Sequence, residues 1–183
     1  MKNARTFLLA VSLSFLTALA ADPAPPLGIP YAKSPSAGLL SAGQPTPEQI
    51  AAAAAAGYKT VVNLRAESEP GFEWEPDAVR ASGMAYVSIP VTGSAGLTRE
   101  NAVRLDAALK DAEAQGPVLL HCASGNRTGA LLALRAAWIE GEDPQRALAY
   151  GRAAGLAGLE PKVRGLLGLP AEAPQSGSTS PTP

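Results

Sequence analysis

The chain of 183 residues has one cysteine and one histidine, and 5% of its residues are aromatic. A lone cysteine excludes an internal disulfide framework. One histidine beside one cysteine makes a poor metal site, so neither a metal nor a cofactor is expected. A surplus of positive charge is also missing: 15 Lys and Arg stand against 16 Asp and Glu, for a net charge of −1. That balance gives no footprint for nucleic acid or an anionic membrane. No internal repeat is visible, and nothing in the sequence fixes an oligomeric state.

The one long apolar run lies at the start. In "MKNARTFLLAVSLSFLTALA", Lys2 and Arg5 precede an apolar stretch from Phe7, and Ala18-Leu19-Ala20 follows. The stretch is about 15 residues, against roughly 20 for a spanning helix. This is the layout of a secretory signal peptide over residues 1–20, cleaved after Ala20, with export to the periplasm or the medium. No cysteine follows that site directly, so no lipid anchor is expected, and no membrane association after cleavage. Residues 21–36, rich in proline and small residues, read as an extended leader. Residues 169–183 lack apolar periodicity and read as a disordered tail. The remainder, 37–168, is long enough for one domain with a proper core.

Within it, "GLLSAGQP" suggests a short strand. Thr46, Pro47 and Glu48 suit the start of a helix that Gly57 ends. "KTVVNL" (59–64) and "MAYVSIP" (84–90) read as strands, separated by a helix over 75–83. Thr98 can cap a helix over 99–114, and "GPVLLHC" gives a strand that ends at the cysteine. Helices follow over 128–140, from Pro144 behind Asp143, and near 161–167. This alternation predicts an α/β fold with a mainly parallel sheet flanked by helices. Ligands bind outside the carboxyl ends of such strands. The loops after Leu64, Pro90 and Cys122 should therefore share one edge.

"HCASGNRTGA" (121–130) carries the chemistry. The thiolate, not the thiol, is the nucleophile, and a helix N-terminus or a nearby cation favours it. Cys122 sits where both are expected. The helix that follows points unpaired N–H groups and its positive end at the loop, which suits an oxyanion. Gly125 permits the turn, Arg127 can grip two oxygens at once, and Thr128 can serve the thiolate or the helix cap. His121, on the opposite side of the strand from Cys122, orients the loop rather than acting as a base.

These residues resemble the signature of cysteine-dependent protein tyrosine and dual-specificity phosphatases, His-Cys-x-x-Gly-x-x-Arg-Ser/Thr-Gly. Together with "SAGQPTPEQIAAAAAAGYKTVVNLRAESE" and "GMAYVSIPV", the chain is similar over about residues 38–140 to bacterial phosphatase-like domains, including that of beta-lactamase-hydrolase-like proteins. The resemblance implies that Cys122 forms a phosphocysteine. It makes Arg127 the phosphoryl ligand, the amides of Ala123, Ser124, Gly125, Asn126 and Arg127 the cradle, and Thr128 the group that steadies the departing thiolate. The partner would be a phosphorylated small molecule or phosphoprotein.

Two features depart from the usual pattern. Four residues, not five, separate Cys122 from Arg127, a loop length also similar to that of rhodaneses, which carry a persulfide. And "VTGSAGLTRE" (91–100) lacks the usual aspartate acid. Glu67 and Glu69, on the loop after Leu64, are the nearest substitutes, and Arg65 a candidate substrate contact. Sulfur transfer and phosphate binding without turnover thus stand as alternatives to phosphomonoester hydrolysis.

Overall fold

The structure, a computed structural model, describes residues 27–171. The expected signal peptide, and the leader and tail beyond those limits, lie outside the described residues. Five strands form one sheet in the order β1-β2-β5-β3-β4. They are β1 (Lys33–Ser36), β2 (Leu39–Ala42), β3 (Thr60–Asn63), β4 (Ala85–Ser88) and β5 (Val118–His121). Four of them run parallel, and β1 alone is antiparallel to its neighbour β2. The domain boundary expected at residue 37 therefore moves back, because the end of the leader completes the sheet as an edge strand.

Six helices cover the sheet: α1 (Pro47–Ala55), α2 (Glu75–Ala81), α3 (Arg99–Glu113), α4 (Asn126–Trp138), α5 (Pro144–Ala153) and α6 (Glu160–Leu166). Their starts follow from local chemistry. Thr46 caps α1 in a reciprocal box with Gln49, whose Oε1 accepts from Thr46 N at 2.9 Å. Thr98 caps α3 and Asp143 caps α5. β2, β3 and β5 are buried along their whole length, as parallel strands covered on both faces must be.

Alternation along the strands splits the core in two. Val61 and Leu119 face α1 and α2, in a cluster with Ile50 and Val79. Val62, Leu64, Val118 and Leu120 face the other side, where Leu105 and Leu109 of α3 meet Leu131 and Leu132 of α4. Because β2, β5, β3 and β4 are parallel, four loops rather than three meet at one edge. The segment after β2, Gly43-Gln44-Pro45, joins those after β3, β4 and β5.

Candidate active site

Cys122 follows the last residue of β5, and its N–H donates to Ala42 O at 3.3 Å. The turn behind it depends on Gly125, whose φ of 79° lies in the left-handed region. Gly125 is also the N-cap of α4, so the N–H groups of Asn126, Arg127 and Thr128 sit in a first turn where they lack intrahelical acceptors. A backbone bridge from Gly43 to Ser124 and a bond from Gln44 N to Ala123 O (3.3 Å) fasten the loop to the segment after β2. Ala123 and Ser124 are exposed, whereas Cys122 is 1% exposed and joins the apolar cluster under α4.

Arg127 and Glu69 form a two-pronged pair. Nη2 donates to Oε2 at 2.8 Å and Nη1 donates to Oε1, while Nη1 also reaches Val91 O at 3.0 Å. The Glu69 carboxylate raises the pKa of Arg127 above its ordinary value, against the opposing effect of burial, and the Cys122 sulfur acts in the same direction as Glu69. The guanidinium is therefore held by Glu69 and the Val91 carbonyl, between the loops after β3 and β4. The same pairing, led by the Arg127 hydrogen bond, lowers the pKa of Glu69 to about 2.

Arg65 reaches Glu69 as well, with Nε 3.3 Å from Oε2. Its other nitrogens donate to Gln44 Oε1 and Pro70 O, each at 2.8 Å, and its guanidinium lies 4.7 Å from the centre of the Phe72 ring. Glu67, on the same loop, is exposed. The two carboxylates considered as acids thus differ: Glu69 is bound between two arginines and, at a pKa of about 2, holds no proton at neutral pH, whereas Glu67 faces solvent.

Thr128 is fully buried. Its hydroxyl donates to Gly125 O and lies 2.6 Å from Ser41 Oγ, which donates to Ala154 O at 2.6 Å. It ties the loop to α4 and β2. The Asn126 side chain accepts from Ala157 N (2.9 Å) and Leu159 N (3.3 Å), so it fixes the segment after α5 against the loop.

Residues that sequence reasoning missed lie behind the loop. Glu75, the first residue of α2, is fully buried, and its Oε1 lies 2.9 Å from His121 Nε2, although Nε2 makes no hydrogen bond in the strict angular sense. Asn63, Gln44 and Tyr86 converge on the same carboxylate. Burial, with Glu75 adding to it, pushes the Tyr86 pKa up to about 12. A sequence signal did exist for Gln44, since the topology puts the end of β2 on the same edge; Glu75 stood in the sequence only as one of the carboxylates beyond Glu67 and Glu69. Among the described residues no group of three or more His, Cys, Asp or Glu is placed to hold a metal ion.

The family model described as beta-lactamase hydrolase-like protein, phosphatase-like domain, matches residues 34–139. Beta-lactamase hydrolase-like proteins of Xylella fastidiosa and Agrobacterium fabrum are 36% and 38% identical over 100 residues, covering 52% of this chain and 22% of theirs. The match thus spans about a fifth of the length of those relatives. A Shewanella putrefaciens DUF442 protein, a candidate phosphatase, is similar with 28% identity and a TM-score of 0.62, over 77% of this chain and 91% of its own. Pseudomonas aeruginosa TpbA in complex with pTyr has 25% identity and a TM-score of 0.51, over 67% and 72%. Tk-PTP shares the fold at 19% identity, with a TM-score of 0.58 over 75% and 96%.

Proposed function

From the premise that this chain belongs to the phosphatase-like domain family of beta-lactamase hydrolase-like proteins, we propose that it hydrolyses phosphomonoesters through Cys122. The observation that carries this reading is Arg127, held beside the thiol at the start of α4 by a carboxylate, the place and charge that a phosphoryl group takes. The substrate displaces Glu69, and two of its oxygens take the arginine fork. The Cys122 sulfur attacks phosphorus, the S–P bond forms and the ester P–O bond breaks. The departing oxygen takes its proton from solvent, because Glu69 has none to give. Water then attacks the phosphocysteine, releasing inorganic phosphate and the thiol. Aromatic phosphates, phosphotyrosine among them, are the favoured class, supported by the pTyr complex of TpbA.

The test is hydrolysis of aryl phosphates with leaving groups of different pKa, by the chain and by Cys122→Ser. Activity should vanish in the variant, and the rate should climb steeply as the leaving group becomes more acidic, since general acid help worth about 10²–10⁴ is missing. A flat dependence would return an acid to the loop, with Glu67 first to be replaced. Equal activity of Cys122→Ser would end the reading. Turnover of thiosulfate and cyanide instead would favour sulfur transfer.

The occupied arginine and the 1% exposure of Cys122 favour a second reading, an anion-binding domain without turnover. Phosphate binding with no hydrolysis of any ester distinguishes it. The chemistry is placed outside the cytoplasm on the strength of the signal-like residues 1–20, which the mass of the processed chain tests.

A further inference from the structure

Behind the thiol loop, Glu75 is fully buried, and both its oxygens accept from neighbouring side chains. Oε1 accepts from Gln44 Nε2 at 3.2 Å and lies 2.9 Å from His121 Nε2. Oε2 accepts from Asn63 Nδ2 at 2.7 Å, with the Tyr86 hydroxyl at 3.5 Å. A buried acceptor so surrounded fixes the orientation of both side-chain amides, because each must turn its NH2 towards it. Their carbonyl oxygens then point the other way, and both receive Arg65. Asn63 Oδ1 accepts Arg65 N at 2.7 Å, and Gln44 Oε1 accepts Arg65 Nη1 at 2.8 Å. Arg65 in turn shares Glu69 with Arg127. Two parallel relays of one amide each therefore join Glu75 to the arginines of the site. A third contact joins it to His121, next to the nucleophile.

We infer that Glu75 is a positioning residue for the anion site, setting Arg65 through the amides of Asn63 and Gln44 and steadying the residue before Cys122. The inference rests on the proposed use of this site for a phosphoryl group. It concerns how the anion is held rather than how the ester is cleaved. In Glu75→Gln, one oxygen becomes an NH2 that faces the NH2 of Gln44 or of Asn63. Flipping that amide to accept it presents an NH2 to Arg65 and removes its acceptor.

The experiment measures binding of inorganic phosphate to the full chain by calorimetry, together with the aryl phosphatase kcat and KM and the thermal midpoint. Glu75→Gln should weaken phosphate about tenfold, the scale of one hydrogen bond to a charged group, and should raise KM more than it lowers kcat. Gln44→Ala, at a half-buried position, cuts one relay while leaving Glu75 with Asn63 and His121, and covers the case in which Glu75→Gln does not fold. It should weaken phosphate several-fold and lower the thermal midpoint less than Glu75→Gln does. In an Arg65→Ala background, the Gln44→Ala effect should disappear, which a purely structural role for the network would not produce. Unchanged phosphate affinity in Gln44→Ala, or effects that add to Arg65→Ala, would overturn the inference. Because binding is read apart from turnover, a failure of Cys122 chemistry leaves this result standing, and a chain that binds no phosphate overturns it.

Discussion

Glu69 holds the arginine that the phosphoryl group needs, so it is both a scaffold and a competitor. As a competitor it has a measurable signature. Replacing it by glutamine removes the charge that occupies Arg127 but keeps the side-chain length. Glu69→Gln should bind inorganic phosphate about tenfold tighter, since a charged two-pronged contact no longer has to be broken first. Competitive inhibition by phosphate checks this, and weaker inhibition in the variant would mean that holding Arg127 in place outweighs competition. The same residue shapes the acid response. Its pKa falls from 4.5 to about 2 on folding, chiefly through Arg127. A lowered carboxylate pKa gives stability that is complete above about pH 4.5 and drains away as pH falls towards 2. Glu69→Gln should therefore lose less stability across that window, although the 27% exposure of the side chain limits the size of the effect.

At the scale of elements, the site depends on how closely α4 meets the segment after α5. A Cβ on Gly129 would stand 2.1 Å from Leu156 N and 2.6 Å from Gly151 O, backbone atoms that cannot swing aside. Gly151 is also tight, its Cβ position lying 2.7 Å from both Ala133 Cβ and Gly129 O. Gly129→Ala should cost about 2–3 kcal/mol by overpacking and lower the thermal midpoint by roughly 5–10 °C. It should weaken phosphate binding too, because Arg127 and Thr128 sit just before it on α4. Gly165→Ala, in α6 with nothing near its Cβ position, is the control and should leave the midpoint unchanged or slightly higher. Equal midpoints for the two variants would refute the account. Most elements were legible in sequence because their signals are local: Thr46, Thr98 and Asp143 as caps, Gly57 and Gly83 as stops, and β-branched runs between them. β1 was not, because "KSPS" has no apolar pattern and becomes a strand only through its pairing with β2.

For the whole molecule, the thiol loop was legible because its residues are contiguous, and the edge that hosts it followed from parallel topology. The buried hub was not, since Gln44, Asn63, Glu75, Tyr86 and His121 come together only when the sheet is assembled. The leader was misjudged for the same reason. Ile29 is 4% exposed in the cluster with Ile50 and Val79, and Gly43 N donates to Pro30 O at 2.8 Å. Gly43 is tightly enclosed, its Cβ position lying 3.0 Å from Tyr31 Cδ2, Pro30 O and Ala123 O alike. The segment before residue 37 thus packs over the same glycine that bridges to Ser124. Two truncations separate its parts. A chain beginning at Ala21, the expected product of export, should match the full chain in thermal midpoint and phosphate affinity. A chain beginning at Ala37 loses Ile29, β1 and the Pro30 bond, at a cost of about 2–4 kcal/mol from the buried isoleucine and the hydrogen bonds. It should also hold phosphate more weakly, because Gly43 and Gln44 are the braces of the thiol loop and lose their cover. If the two truncated chains melt and bind alike, the leader is a passive spacer and the domain does begin at residue 37.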